Sequence, residues 1–379
     1  MTPFGITAPG RILFGRGEAA KAPGLIAAYG SRGIVVHGAN PARAAWLVES
    51  LAAQGVAVLA LPCAAEPTLA VLEDAVAQAK AFGAHWVTGL GGGAALDLAK
   101  AVAALAPAPG GAMDHLEVVG RALPLTAAPL PFIALPTTSG TGAEATKNAV
   151  IGLPDHGRKV SLRDDRMLAR IAIVDPALTD HCSRAVTLAS GLDAVTQVIE
   201  PHVSCRATPF TDALTLPAIG LGLAALMRLM QAEDAEARDD LAWVSLSGGL
   251  ALANGGLGAV HGLAGVIGGL TGAAHGAICG TLLGAVLAEN RNASEGPARD
   301  RLQRVCETLA PPLQTTPGDA PDALAAWARA AGLPGLADLG LARADFAQVA
   351  EAALASSSMK GNPVPLGVDA LIRILERSC

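Results

Sequence analysis

Apolar runs alternate with amphipathic stretches through the first half of the chain. Residues 33–37 (GIVVH) form a continuous apolar run that reads as a buried strand, and 41–54 follow with apolar positions at helical spacing. Residues 56–61 (VAVLAL) read as the next strand and 68–81 as a helix, with Pro67 just before its start. Residues 85–90 (HWVTGL) run as a strand into Gly91-Gly92-Gly93, 94–106 are helical, and 131–136 (PFIALP) make a further strand. Strands alternating with helices predict a mostly parallel, doubly wound sheet.

Past Asp175-Pro176 the pattern changes. Residues 186–199, 209–230, 235–254, 259–270, 275–290, 321–331 and 343–355 all carry helical periodicity, and no strand pattern intervenes. The expected division is therefore an α/β domain over 1–180 and an all-helical domain over 181–379, in keeping with a 379-residue chain too long for one ordinary core.

Composition narrows the classes. With 51% hydrophobic and 16% charged residues the chain is globular rather than disordered. A net charge of −6 without a Lys/Arg block excludes nucleic acid and anionic membrane surfaces as partners. Residues 241–288 contain no Asp, Glu, Lys or Arg, which on hydropathy alone suggests a membrane span. Thirteen glycines interrupt that stretch, however, and it carries His261, His275 and Asn254, so it reads as helices buried around a site. Six scattered cysteines, with no CxxC pair and no secretory pattern at the start of the chain, lead us to expect reduced thiols and a cytoplasmic location.

Two loops carry candidate chemistry. Residues 90–100 read LGGGAALDLAK: a strand, three glycines, then a helix containing Asp97 and Lys100. Glycines let the backbone approach a pyrophosphate, and the helix N-terminus offers free N–H groups and a positive dipole end. The spacing is not GxGxxG, and an ordinary Gly-rich β–α turn explains this loop equally well by itself. Residues 136–144 (PTTSGTGAE) supply four hydroxyls and two glycines straight after another apolar strand. Two such loops at the carboxyl ends of strands in an open sheet point to a dinucleotide.

A second constellation lies in the helical half. Asp193 and Gln197 stand four apart, on one face of a helix. With His261 and His275 they offer a carboxylate, an amide oxygen and two imidazoles to one divalent cation, Fe²⁺ or Zn²⁺. Each histidine alone reads as an ordinary buried core residue.

The chain resembles the iron-containing (group III) alcohol dehydrogenase family. The GGG-x3-D-x2-K run ending at Lys100, the PTTSGTGAE loop, Lys159, Asp175-Pro176, the GLDA segment, the His261/His275 pair and MKGNP at 359–363 occur in that family's order. The resemblance spans essentially the whole chain. It implies an α/β N-terminal dinucleotide-binding domain plus an all-α C-terminal domain, the dehydroquinate synthase-like fold of this family. It further implies a homodimer or higher homo-oligomer acting on a small-molecule substrate by hydride transfer between NAD or NADP and an alcohol or aldehyde. Carried over by position, Gly92, Gly93, Ala94 and Asp97 contact the pyrophosphate region, Thr137, Thr138 and Thr141 line the nucleotide site, and Lys159 reaches the nicotinamide ribose. Asp193, His261 and His275 match metal ligands and are the expected catalytic residues.

Three departures stand out. The family's usual second ligand, a histidine four residues after the aspartate, is Gln197 here, and a further histidine is replaced by Gly265. These two changes motivate the alternative of a metal-free reductase of maleylacetate type. The end of the first predicted strand, His37-Gly38-Ala39-Asn40, lacks the carboxylate that many relatives use on the adenosine ribose, and Arg43 follows. That composition admits a 2′-phosphate. A dehydroquinate-synthase-like lyase needs cationic partners for a phosphorylated substrate, and the helical half has few basic residues near its ligand candidates.

Overall fold

A computed structural model describes residues 3–379. Its strands are β1 (Ile12–Phe14), β2 (Arg32–His37), β3 (Ala57–Pro62), β4 (Trp86–Gly91), β5 (Phe132–Pro136), β6 (Asn148–Leu153), β7 (Arg158–Arg163) and β8 (Ile171–Val174). Helices α1 (Ala22–Ala27), α2 (Ala42–Ala53), α3 (Leu69–Phe82), α4 (Gly93–Leu105) and α5 (Ala112–His115) are interleaved with them. Nine more helices follow: α6 (Arg184–Val203), α7 (Pro209–Leu229), α8 (Ala235–Gly255), α9 (Ala259–Thr271), α10 (His275–Ala293), α11 (Gly296–Leu313), α12 (Ala320–Ala330), α13 (Phe346–Leu354) and α14 (Val368–Arg377). Two compact units result. One comprises Thr7–Thr138 and Gly142–Asp180; the other comprises His181–Cys379, residues 3–6 and the three residues Ser139–Thr141.

In the first unit six parallel strands lie in the order β1-β8-β5-β4-β2-β3. Ile34 and Val36 pack on one face with Leu72 of α3 and Leu96 of α4, while Val35 packs on the other with Leu47 and Leu51 of α2. Both faces are covered, which is why these strands are continuous apolar runs rather than alternating ones. Local chemistry sets the helix ends: Thr68 accepts from Val71 N at the start of α3, and Gly83 closes it in the left-handed region at φ 68°.

The chain leaves β2 to form β3 on one side and returns to form β4 on the other. The sheet therefore reverses its strand order at the carboxyl ends of β2 and β4, where open α/β sheets bind ligands. An antiparallel hairpin of β6 and β7, absent from the sequence reading, sits apart from this sheet.

The helical unit is built around a single apolar cluster to which α6, α7, α8, α9 and α10 all contribute. Helix α7 is long and apolar enough to cross a membrane by composition, yet its Ile219, Leu223 and Leu226 are fully buried in that cluster. Helices α8 and α9 meet at a bend of 100°. The break, Gly256 to Gly258, leaves the first N–H groups of α9 outside any helical ladder.

One buried histidine in this unit controls stability against acid. His202 Nδ1 lies 3.1 Å from Thr215 Oγ1, and its Nε2 has no hydrogen-bond partner. Burial, then the cations Arg301 and Arg304, push its pKa down to about 4 against the pull of Asp212. The unfolded chain takes up this proton near pH 6.5 and the folded chain only near 4. Its contribution is therefore present above pH 6.5 and lost as pH falls, by about 3 kcal/mol at pH 4. His202→Gln is expected to flatten the pH dependence of the urea midpoint between pH 6.5 and 4. An unchanged slope would contradict the assignment.

Candidate functional site

Helix α6 is capped by Ser183, whose hydroxyl accepts from Val186 N, and it is buried along most of its length. Asp193, Gln197 and Glu200 fall at i, i+4 and i+7, hence on one face. All three are buried, Asp193 to 1% exposure and Gln197 to 2%. Two oxygens on this face, Asp193 Oδ1 and Gln197 Oε1, are buried without any hydrogen bond. Such atoms are costly unless something else satisfies them.

Around Asp193 the structure gathers His261, His275 and Cys279, with one ligand atom from each residue within 4.8 Å of every other. His261 Nε2 stands 3.4 Å from Asp193 Oδ1 and His275 Nε2 3.9 Å from it. Cys279 Sγ is 3.5 Å from His275 Nε2. The two rings lie 5.3 Å apart, and His275 is the open side of the group, its side chain 31% exposed.

Close helix approach makes this convergence possible. A Cβ on Gly276 would come within 2.5 Å of Ala189 O, and one on Gly280 within 2.7 Å of Leu192 Cδ1. These glycines bring the first turns of α10 against α6 and, with them, His275 and Cys279 against Asp193.

His261 is positioned differently, by the buried, locally uncapped start of α9. Glu200 Oε1 accepts from Val260 N at 2.7 Å, and Glu200 Oε2 accepts from His261 Nδ1 at 2.7 Å. Asn362 Oδ1 accepts from Ala259 N at 3.0 Å and is itself held by Asn290. Two remote side chains thus satisfy N–H groups that no local cap reaches. Gly258 leaves them room, since a Cβ there would lie 2.9 Å from both acceptors. With Nδ1–H committed to Glu200, His261 turns Nε2 towards the group, where it can act as a lone-pair donor once that nitrogen gives up its proton.

Burial opposes charge on each of these side chains, yet their mutual attraction wins. Asp193 is held below the usual carboxylate range, chiefly by His261 and His275. His261 is held well above 6.5 by Cys279, Asp193 and Glu200, and His275 is raised to about 9 by Cys279 and Asp193. A pocket that favours positive charge beside Asp193 fits a divalent cation competing with protons for the same donors.

The nucleotide loops leave adjacent strands, β4 and β5, paired Gly91 to Pro136. Gly92 is the N-cap of α4 and no side chain caps it, so the first N–H groups of that helix are open to an anion. Gly92 faces Thr138, to which a Cβ would approach within 3.2 Å, and Thr137 N donates to Gly91 O. Gly92, Gly93, Ala94, Thr137, Thr138 and Thr141 keep partial exposure among buried neighbours. The loop's tip belongs to the helical unit, where Gly140 O accepts from Gln197 Nε2 at 3.1 Å.

Asp97 is engaged within the protein: its Oδ2 accepts from Val150 N at 2.9 Å. Lys159 lies on β7 with its ammonium 2.5 Å from Glu66. Lys100 is fully buried and donates to Ala143 O, Thr146 Oγ1 and Asn148 O. Two residues of the metal-type cluster escaped the sequence reading. Glu200 repeats the face of Asp193, and Cys279 lies one turn beyond His275; both spacings were there to be seen.

Comparison with known proteins gives matches over nearly the whole chain. The family model "Iron-containing alcohol dehydrogenase" matches residues 9–176, and "Fe-containing alcohol dehydrogenase family, C-terminal" matches 187–379. The chain is 31% identical over 334 residues to "Probable alcohol dehydrogenase EutG" of Escherichia coli (strain K12), covering 86% of this chain and 82% of that protein. It is 32% identical over 319 residues to "4-hydroxybutyrate dehydrogenase" of Cupriavidus necator, covering 82% of each. Among solved structures, 1,3-propanediol oxidoreductase superposes with a TM-score of 0.89 at 25% identity, over the full length of both chains.

Proposed function

The chain belongs to the iron-containing alcohol dehydrogenase family, and from this premise we propose reversible hydride transfer between NAD(P) and a small primary alcohol or its aldehyde, assisted by a divalent cation. The observation that carries the metal-centred reading is the pair of buried, unbonded oxygens on Asp193 and Gln197 beside two imidazoles. Asp193, His261 and His275 would hold the cation, with Gln197 offering a further oxygen. A cation there supplies Lewis acidity to the substrate oxygen, and the nicotinamide gives or takes the hydride.

The chain's own residues do the positioning. Glu200 fixes the tautomer and tilt of His261 through the Nδ1 proton. Gly140 O fixes the amide of Gln197, leaving Oε1 as its free acceptor. Gly265 lies one turn after His261 with nothing within 4 Å of where a Cβ would sit, which leaves volume for substrate. In the other unit Gly92, Gly93 and Ala94 present the N-terminus of α4 to the pyrophosphate, Thr137 and Thr138 offer hydroxyls, and Lys159 serves the nicotinamide ribose; Thr141, in the stretch grouped with the helical unit, is a further candidate hydroxyl. Asp97 buttresses this loop against β6.

The names of two similar proteins point to 4-hydroxybutyrate and 1,3-propanediol, short compounds with primary hydroxyls. The informative test follows absorbance of the reduced cofactor across a panel of short alcohols and aldehydes, with NAD and NADP, with and without added Fe²⁺ or Zn²⁺. Turnover in the panel that requires metal supports this reading; full turnover of metal-free protein replaces it with the maleylacetate-reductase-like one.

Cofactor choice turns on Ala39, exposed just past β2, where no carboxylate repels a 2′-phosphate. We propose that both NAD and NADP are accepted. Ala39→Asp is expected to lower affinity for NADP relative to NAD by about tenfold or more, by adding like-charge repulsion. Fluorescence titration with both cofactors checks this; an unmoved ratio would place the adenosine ribose elsewhere.

A further inference from the structure

Cys279 is fully buried one turn after His275, and nothing in the mechanism above uses it. Its sulfur shares the small volume defined by Asp193, His261 and His275. A tetrahedral ion with bonds of about 2.0–2.1 Å to nitrogen or oxygen and about 2.3 Å to sulfur separates its ligand atoms by about 3.3–3.6 Å. The measured separations are 3.4 Å for His261 Nε2 to Asp193 Oδ1 and 3.5 Å for Cys279 Sγ to His275 Nε2, with 3.9 Å for His275 Nε2 to Asp193 Oδ1. Two of these separations match the edges of a coordination tetrahedron and the third is slightly longer, while every pair of the four donors lies within 4.8 Å. Asp193 Oδ1, buried and without a hydrogen bond, marks the centre of the group as the place where a ligand is missing a partner.

We propose that Cys279 is a metal ligand, so that this chain holds its cation with Asp193, His261, His275 and Cys279 and prefers Zn²⁺ to Fe²⁺. The proposal rests on the metal-centred reading above and specifies its donor set. Gln197 brings no charge to the site; the thiolate does, and with Asp193 it neutralises a divalent ion in a buried pocket. On binding, the thiol proton and any proton on the ligating nitrogens of His261 and His275 pass to solvent as the metal–ligand bonds form, with no change of oxidation state. A soft sulfur donor in a tetrahedral N/O/S set shifts selection towards Zn²⁺.

X-ray absorption at the zinc edge of wild-type protein, stripped with a chelator and reloaded anaerobically with one equivalent of Zn²⁺, reads the shell directly. One sulfur neighbour at about 2.3 Å is expected beside nitrogen and oxygen at about 2.0–2.1 Å. Metal analysis after competition between equal Zn²⁺ and Fe²⁺ gives a second readout: wild type should take up zinc, and Cys279→Ser should lose that preference at least tenfold. Bound zinc with only nitrogen and oxygen neighbours, or equal selectivity in the two proteins, overturns the proposal while leaving the metal-centred reading intact. A wild-type protein that takes up neither ion overturns both.

Discussion

Asp193→Ala is expected to leave the purified protein without its divalent cation and to lower turnover by more than about a hundredfold. Losing partners one bond removed from a metal already costs 10–100-fold in affinity or activity, and a direct carboxylate ligand should cost more. Asp193 Oδ1 is buried, unbonded and within 4 Å of both imidazoles, and it is the carboxylate of the group. Gln197→Ala should cost far less, because a water can take the place of a neutral amide oxygen, and Gln197→His should tighten metal binding. Metal content by mass spectrometry, measured with turnover for all three variants, decides the order. Equal losses in Asp193→Ala and Gln197→Ala would contradict the charge argument.

The second large effect concerns the nucleotide-binding unit. Lys100 has no exposed surface and ties α4 to three acceptors in the segment following β5. Burial pulls its ammonium below the usual range, while Asp97 and Glu144 hold it up. Glu144, buried nearby, has its own carboxyl pushed up to about 7 by that burial. Lys100→Met would remove the cation beside Asp97 and cut the hydrogen bonds that join α4 to Ala143 O, Thr146 Oγ1 and Asn148 O. Breaking a buried charged pair on one side typically costs about 3–5 kcal/mol. A loss of that size in urea unfolding is expected, with weakened cofactor binding, since α4 and the 136–144 loop both depend on the contact. Stability within about 1 kcal/mol of wild type would show that this hub is dispensable.

These two residues also show what was legible in the sequence. Lys100 stood out as part of a spaced run after three glycines, but its three partners lie more than forty residues away and only folding brings them to it. The parallel sheet was readable because strands covered on both faces are apolar throughout, as in GIVVH and PFIALP. The β6–β7 hairpin was not, because its strands run only six positions each and the half-buried face of β6 mixes Asn148, Val150 and Gly152, which gives no clean alternation. In the helical half the histidines and Asp193 were visible as chemistry. The glycines that press α10 onto α6 looked like composition until their close contacts appeared. Asn362, part of the MKGNP run, has a role only once the bend between α8 and α9 is known, since it satisfies Ala259 N. Cys279 counted as one of six scattered thiols because cysteine spacing was weighed against other cysteines and not against His275.

We propose that metal held by the helical unit is required for NAD(P)-linked turnover. The most direct test is titration of chelator-stripped wild-type protein with Zn²⁺ or Fe²⁺ under anaerobic conditions, following metal bound per chain and aldehyde reduction in the same samples. Activity is expected to rise from near zero in proportion to metal, to a plateau at one ion per chain. Full reduction by protein holding no metal, unchanged by either ion, would contradict it.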